Sequence, residues 1–443
     1  MTNDKSLSHP FLISLLLLIG ASASAANWPH WRGPLFNGST DEKNLPQHFS
    51  TEENVAWSAA LPGPAAATPI VWEDRVFLAG ADPDRDMLEA RAIRRADGKL
   101  LWQRDIAQGI RRDHRSNLAS GSPVTDGEVV VFFFGNGDLV CFDLDGQQIW
   151  ARNLQKDYGE FAFLWSFSSS PTLFDGKLYI QVLQRDVPVK ERGFADRENQ
   201  SYLLALEPKT GKTLWRHVRP SEAVAESREG FSTPIPLLSE TRNELLVLGG
   251  DALTGHDPRT GRELWRWGNW NPRRIDHWRL VPSPVAGGGV VLACAPKRSP
   301  VYAVKAGLDG LLGDESLAWQ SDTATKISAD VPTPAFYDGD FFVLNDIQRA
   351  LSRVDASTGN VEWQISTPGR GKYEASPLAA DGKIYLVDFF GQVAVIDAAE
   401  GKLIEAISMD DPVDDEVVRS SVVASGGQLF IRATRRLYCV GKK

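Results

Sequence analysis

Cysteine is scarce in this chain: Cys141, Cys294 and Cys439 are the only three in 443 residues. An odd, widely spaced set builds no complete disulfide framework and no Cys-x-x-Cys pair for metal or redox chemistry. Cys141 and Cys439 stand at matching places, in Leu-Val-Cys-Phe and Leu-Tyr-Cys-Val, where other segments carry Ala205, Ala303 and Ala394; that alignment predicts small buried core residues. Basic runs are missing as well. The net charge is −9 and the pI near 5.4, and displacing counterions from nucleic acid needs clustered Lys and Arg, so nucleic acid is excluded as a partner. The chain has no Gly-rich phosphate loop, no Gly-x-Ser-x-Gly elbow and no His-Glu-x-x-His. Its scattered Ser and Asp, without a placed base, define no catalytic site. Long apolar runs are also absent. Phe11 to Gly20 is mostly apolar but too short to span a bilayer. Preceded by Lys5 and followed by Ala21-Ser22-Ala23-Ser24-Ala25, it reads as a signal peptide over 1–25. No Cys follows it to carry a lipid, so a periplasmic or secreted chain without a transmembrane segment is expected.

Tryptophan, by contrast, is plentiful and regular. Trp57, Trp102, Trp150, Trp215, Trp265, Trp319 and Trp363 each end a short apolar strand, mostly after a Gly-containing turn. A Ser-Pro or Thr-Pro pair runs in phase with them, at Thr68, Ser122, Ser170, Thr233, Ser283, Thr333 and Ser376, with Ser420-Ser421 in the eighth place. The steps of 43 to 63 residues are those of propeller blades. Within the third repeat, turns at Asp175-Gly176 and Pro208-Lys209-Thr210-Gly211 separate apolar runs that read as four strands. The final repeat, Ser420 to Val440, has three strands and no tryptophan strand, while Val55-Ala56-Trp57 is a tryptophan strand without a repeat. The sequence therefore predicts an all-β fold: a single eight-bladed β-propeller over 55–441, with four-stranded antiparallel blades and an N-terminal strand completing the last one. Residues 26–54 form an N-terminal extension. Two departures stand out, Glu405 in a tryptophan position and a detour from Ala306 to Ser316.

The segments Gly255-His256-Asp257-Pro258-Arg259-Thr260-Gly261-Arg262-Glu263-Leu264-Trp265 and Arg353-Val354-Asp355-Ala356-Ser357-Thr358-Gly359-Asn360-Val361-Glu362-Trp363 resemble the tryptophan-docking repeat of PQQ-like propellers. That family includes quinoprotein alcohol dehydrogenases and the propeller lipoprotein of the outer-membrane β-barrel assembly machinery. The opening Asn27-Trp28-Pro29-His30-Trp31-Arg32-Gly33-Pro34 and the closing Leu437-Tyr438-Cys439-Val440-Gly441 look like its secreted single-propeller members. A dehydrogenase of this family is expected to hold pyrroloquinoline quinone and Ca²⁺ in the central channel, with acidic and amide ligands, a catalytic Asp and often a vicinal disulfide. No motif here matches that set. Asp82-Pro83-Asp84-Arg85-Asp86 has alternating carboxylates, but Met87 and Ile93 occupy the places of the turn Gly and bidentate Glu of a calcium loop, so it reads as a solvated hairpin.

Chemistry is best sought in the loops entering each inner strand, which crowd one rim of a propeller. They are polar and aromatic, and the candidate contacts are Arg112, His114, Arg115, Asn117, Trp165, Arg228, Asp276, His277, Arg279, Lys372, Tyr373 and Arg419. His114 and His277 share an Asp-His-(x)-Arg theme that could serve acid–base chemistry or metal binding, against the plainer reading of loop hydrogen bonds. The expected function is a non-catalytic, monomeric scaffold without a cofactor. It binds an envelope or extracellular protein, a glycan or a small ligand through its rim and channel mouth; the alternative is a PQQ- and calcium-dependent periplasmic oxidoreductase with a divergent site.

Overall fold

The computed structural model of the chain describes residues 27–111, 113, 116–268, 270–409 and 416–442. The expected signal peptide lies outside them. Among the described residues no helix is long and apolar enough to cross a membrane.

Eight sheets follow one another, seven of four strands and one of five. Blade 3 shows how the sequence makes one. Its strands Thr172–Phe174, Lys177–Val182, Tyr202–Leu206 and Thr213–Val218 pair antiparallel in chain order. Asp175 and Gly176 both take positive φ (49° and 67°), the geometry of a two-residue hairpin turn that matches strand twist. Tyr202–Leu206 is apolar throughout and wholly buried, because neighbouring blades cover both its faces. Thr213–Val218 alternates half-buried and exposed residues, as an outermost strand with one wet face must.

Closure follows the expectation. Val55–Ala60 pairs with Arg436–Val440, Trp57 opposite Cys439, and completes the blade begun by Val423–Ser425 and Gln428–Arg432. The thiols of Cys141, Cys294 and Cys439 are buried, and burial pushes each well above its ordinary pKa.

The tryptophans join blades. The Trp57 indole N–H donates to the Arg95 carbonyl (2.6 Å), Trp102 to Leu144 (3.0 Å), Trp150 to Pro208 (2.7 Å), Trp215 to Pro258 (3.2 Å), Trp319 to Ala356 (2.8 Å) and Trp363 to Ala398 (3.1 Å), each across to the next blade. Each ring also lies flat on that blade's turn glycine. At Gly211, which has φ 68°, a Cβ would meet the Trp150 ring at 2.7 Å, so no other residue fits. An indole burying about 200 Å² contributes roughly 5 kcal/mol before entropy.

Two seams lack this joint, and for one reason. A tryptophan docks only where the following blade has a tight Gly turn. Blade 5 replaces that turn with the detour, from which Gly310–Leu312 adds a fifth, parallel strand beside Glu263–Trp267. Trp265 therefore donates to Glu244 of its own blade instead (Nε1 to Oε2, 2.5 Å). Blade 8 has no such turn, since its outer strand comes from the other end of the chain. There Glu405 meets His48 of the N-terminal extension at 2.8 Å, and buried Leu45 and Phe49 pack alongside.

Candidate functional site

The Ser-Pro and Thr-Pro pairs form a closed belt around the channel. Each Ser or Thr gives its backbone N–H to the hydroxyl oxygen of its counterpart in the next blade: Thr68 to Ser122 (2.9 Å), Ser122 to Ser170 (3.0 Å), Ser170 to Thr233 (3.1 Å), Thr233 to Ser283 (2.8 Å), Ser283 to Thr333 (2.9 Å), Thr333 to Ser376 (3.0 Å), Ser376 to Ser421 (3.1 Å) and Ser421 back to Thr68 (3.1 Å). A hydroxyl that accepts one bond keeps its own proton to donate. In the eighth blade Ser421, rather than Ser420, holds this place.

One end of the channel is stoppered by residues 28–40. Trp28 exchanges backbone bonds with Val71 (2.8 and 2.9 Å), and the Pro29, Asn37 and Gly38 carbonyls accept from Thr125, Phe336 and Ala379 (3.0 Å each). All four partners lie three residues beyond a belt residue, so the stopper crosses about 10 Å below the belt. His30 stacks on Phe36 (3.8 Å between centroids), and burial holds its pKa down to about 3. Arg32 is 2% exposed and donates to the Pro334 (2.7 Å) and Pro377 (3.3 Å) carbonyls and to Asn37 O (3.4 Å). Its Nε has no partner, and burial lowers its pKa to about 9.

Above the stopper is a blind cavity of about 380 Å³, with Trp31 at its floor, belt hydroxyls in its wall, and Trp165, Phe231, Arg279, Lys297, Lys372 and Arg419 toward its mouth. The mouth charges come in pairs. Lys372 Nζ lies 2.6 Å from Glu374 and 3.2 Å from Asp346, Arg419 Nε 2.9 Å from Glu374, and Lys297 3.3 Å from Asp330. Burial works to raise the Glu374 carboxyl, but the Lys372 and Arg419 charges outweigh it and hold its pKa below the ordinary value. Glu226 fixes two wall residues at once, accepting from Trp165 Nε1 (3.0 Å) and Arg279 (3.3 Å). Nearby Glu229 accepts from the Leu164 N–H (2.9 Å) and from Arg185; burial nonetheless raises its pKa to about 7.

The structure thus brings Trp165, Arg279, Lys372 and Arg419 to one cavity. Asn117 holds its own loop, donating to Pro64 O (2.6 Å) and accepting from Ala119 N (3.1 Å). Arg228 pins the insertion in blade 3 through Asp186 (3.0 Å) and Glu198 (2.8 Å). Tyr373 is 1% exposed and donates to Pro368 O. Asp276 and His277 contact each other at 3.1 Å on the open surface, outside the cavity lining. Arg112, His114 and Arg115 lie outside the described residues. Sequence reasoning passed over Trp31 and Arg32; their only signal was a Trp-rich opening segment ahead of the first repeat.

The outer-membrane protein assembly factor BamB family model matches residues 50–189, 166–307 and 297–436, nearly the whole described propeller. The chain belongs to the PQQ-like propeller repeat family. Solved structures agree on the fold of this family. The quinohemoprotein alcohol dehydrogenase of Comamonas testosteroni is 13% identical, with 94% of this chain and 81% of that one covered at a TM-score of 0.64. A europium-containing methanol dehydrogenase is 10% identical, covering 93% and 90% at 0.65, and BamB from Moraxella catarrhalis 12%, covering 86% and 98% at 0.59. No curated protein matches the sequence. The same fold thus serves both an assembly factor and dehydrogenases.

Proposed function

We propose that this chain is an exported, monomeric, non-catalytic binding propeller. It takes an envelope protein, or an extracellular glycan or small ligand, through its rim loops and channel mouth. The observation that carries this reading is the convergence of Trp165, Arg279, Lys372 and Arg419 over a blind cavity large enough for a small ligand or the end of a larger one. Similarity to the BamB family supports a protein partner, and the expected signal peptide supports a periplasmic or secreted setting.

The alternative, a quinoprotein oxidoreductase, needs oxygen ligands for calcium. Asp330 and Glu374 are the carboxylates in the cavity wall, and both already face Lys or Arg at 2.6 to 3.3 Å. Among the described residues no three His, Cys, Asp or Glu side chains gather closely enough to hold a metal. This donor set does not fit calcium. Adding pyrroloquinoline quinone and Ca²⁺ to the purified protein tests the point: no stoichiometric absorbance change and no alcohol- or sugar-dependent dye reduction are expected. Both appearing together would overturn the non-catalytic reading.

A further inference from the structure

We propose that the cavity selects an oxyanion, the carboxylate or phosphoryl end of a ligand, which seats against the belt hydroxyls above Arg32. The proposal rests on the cavity being a binding site and names the chemistry of what it takes.

Two independent features point to an anion. The first is the donor balance of the wall. Belt hydroxyls Ser122, Ser170, Thr233, Ser376 and Ser421 line the cavity, and each already accepts a backbone N–H at 2.9 to 3.1 Å. Each keeps its own proton to donate, with one lone pair beside it. The carboxylates at the mouth are turned toward Lys297, Lys372 and Arg419, so the strongest acceptors for a hydroxyl-rich neutral ligand are engaged, while the belt hydroxyls keep their protons.

The second feature is uncompensated buried charge. Arg32 sits beside Pro334 and Pro377, each one residue from a belt member, and no carboxylate pairs with it among the described residues. Arg432, also 2% exposed, donates to the Ala67 and Ala79 carbonyls, and Ala67 adjoins belt residue Thr68. Its Nε lacks a partner too. Burying a guanidinium without a counter-charge is costly, and in a dry surrounding its field is little screened. The cations at the mouth are balanced pair by pair; those around the belt are not. An anion at the belt would supply the missing charge and accept the spare protons together. Its attraction would come from buried groups, so binding should depend only weakly on ionic strength.

Calorimetric titration of the full mature chain with citrate, inorganic phosphate and the uncharged disaccharide cellobiose tests this. We expect saturable one-to-one binding of citrate, phosphate or both, and none of cellobiose; citrate alone assigns a carboxylate and phosphate alone a phosphoryl group. Arg32→Gln should weaken that binding by about tenfold or more, while Arg32→Lys keeps it within about threefold because the charge remains. Since Arg32 also anchors the stopper, Ser168→Asp provides a variant elsewhere in the wall: a carboxylate there should repel the anion by at least about tenfold with the melting temperature held. Anion binding that ignores Ser168→Asp and falls steeply with salt would place the ion on the outer rim and overturn the proposal. Cellobiose binding without anion binding would overturn it and leave the cavity as a binding site; no binding of any probe also overturns it, and the rim is then tested by crosslinking.

Discussion

The two ends of the channel are built on opposite plans. At the stoppered end Trp28, His30 and Arg32 are 2%, 6% and 2% exposed, and the segment is stitched by backbone bonds to four blades. At the open end the basic side chains are partly exposed, with Lys372 at 40% and Arg419 at 26%, and every one that lines the cavity faces a carboxylate. A buried charge without a partner has a long reach, whereas exposed pairs hold one another in place and add little stability. The difference assigns stability and field to the closed end, and access and orientation to the open one.

That contrast breaks most visibly at the stopper. Trp28→Ala should lower unfolding free energy by about 3–5 kcal/mol in chemical denaturation; a loss below about 1 kcal/mol would mean the segment merely lies on the propeller. Trp215→Ala, at a regular seam, should cost a similar 3–5 kcal/mol, and an unchanged melting temperature with lost ligand binding would overturn its structural role. Glu229, fully buried behind the cavity wall, adds a pH dependence. Its folded pKa, about 7, lies above the ordinary 4.5, so the folded state holds this proton more tightly. The group therefore favours folding at low pH, and that contribution is lost as pH rises from about 4.5 to about 7, by roughly 3 kcal/mol. Glu229→Gln should flatten this part of the stability profile, and an identical slope in both proteins would refute the assignment. The Glu405–His48 contact at the closure seam is exposed, and Glu405→Ala should cost less than about 1 kcal/mol. Smallest of all, His277→Ala should leave stability within about 0.5 kcal/mol and cavity binding unchanged; a lost ligand would extend the site beyond the cavity.

The blades were legible because their signals are local. A tryptophan, a turn glycine and a Ser-Pro pair each recur in phase, and the missing strand of the last repeat is present in Val55–Ala60. Glu405 and the detour were visible as outliers, but their cause was not, since it lies in the turn of a different blade. The belt was half legible: its members are the Ser and Thr of those pairs, yet the closed ring of bonds needs all eight blades placed. The stopper was illegible, because nothing in Trp31 or Arg32 says that residues 28–40 double back through inner strands as far away in sequence as Ala379. Among the rim candidates, Trp165, Arg279, Lys372 and Arg419 share a cavity, whereas Arg228 and Tyr373 are held in internal contacts. Residue type marks a polar loop in both cases, and only packing tells a side chain that faces the channel from one that pins its own loop.

On the proposed function, the open end of the channel, and not the stoppered end, receives the ligand. The most direct test places a photo-crosslinking amino acid at Trp165 on the open rim or at Leu35, 50% exposed on the stoppered side, in cells that export the protein. A discrete mass-shifted product is expected from position 165 and none from position 35. A product from position 35 with none from position 165 would contradict the proposed function.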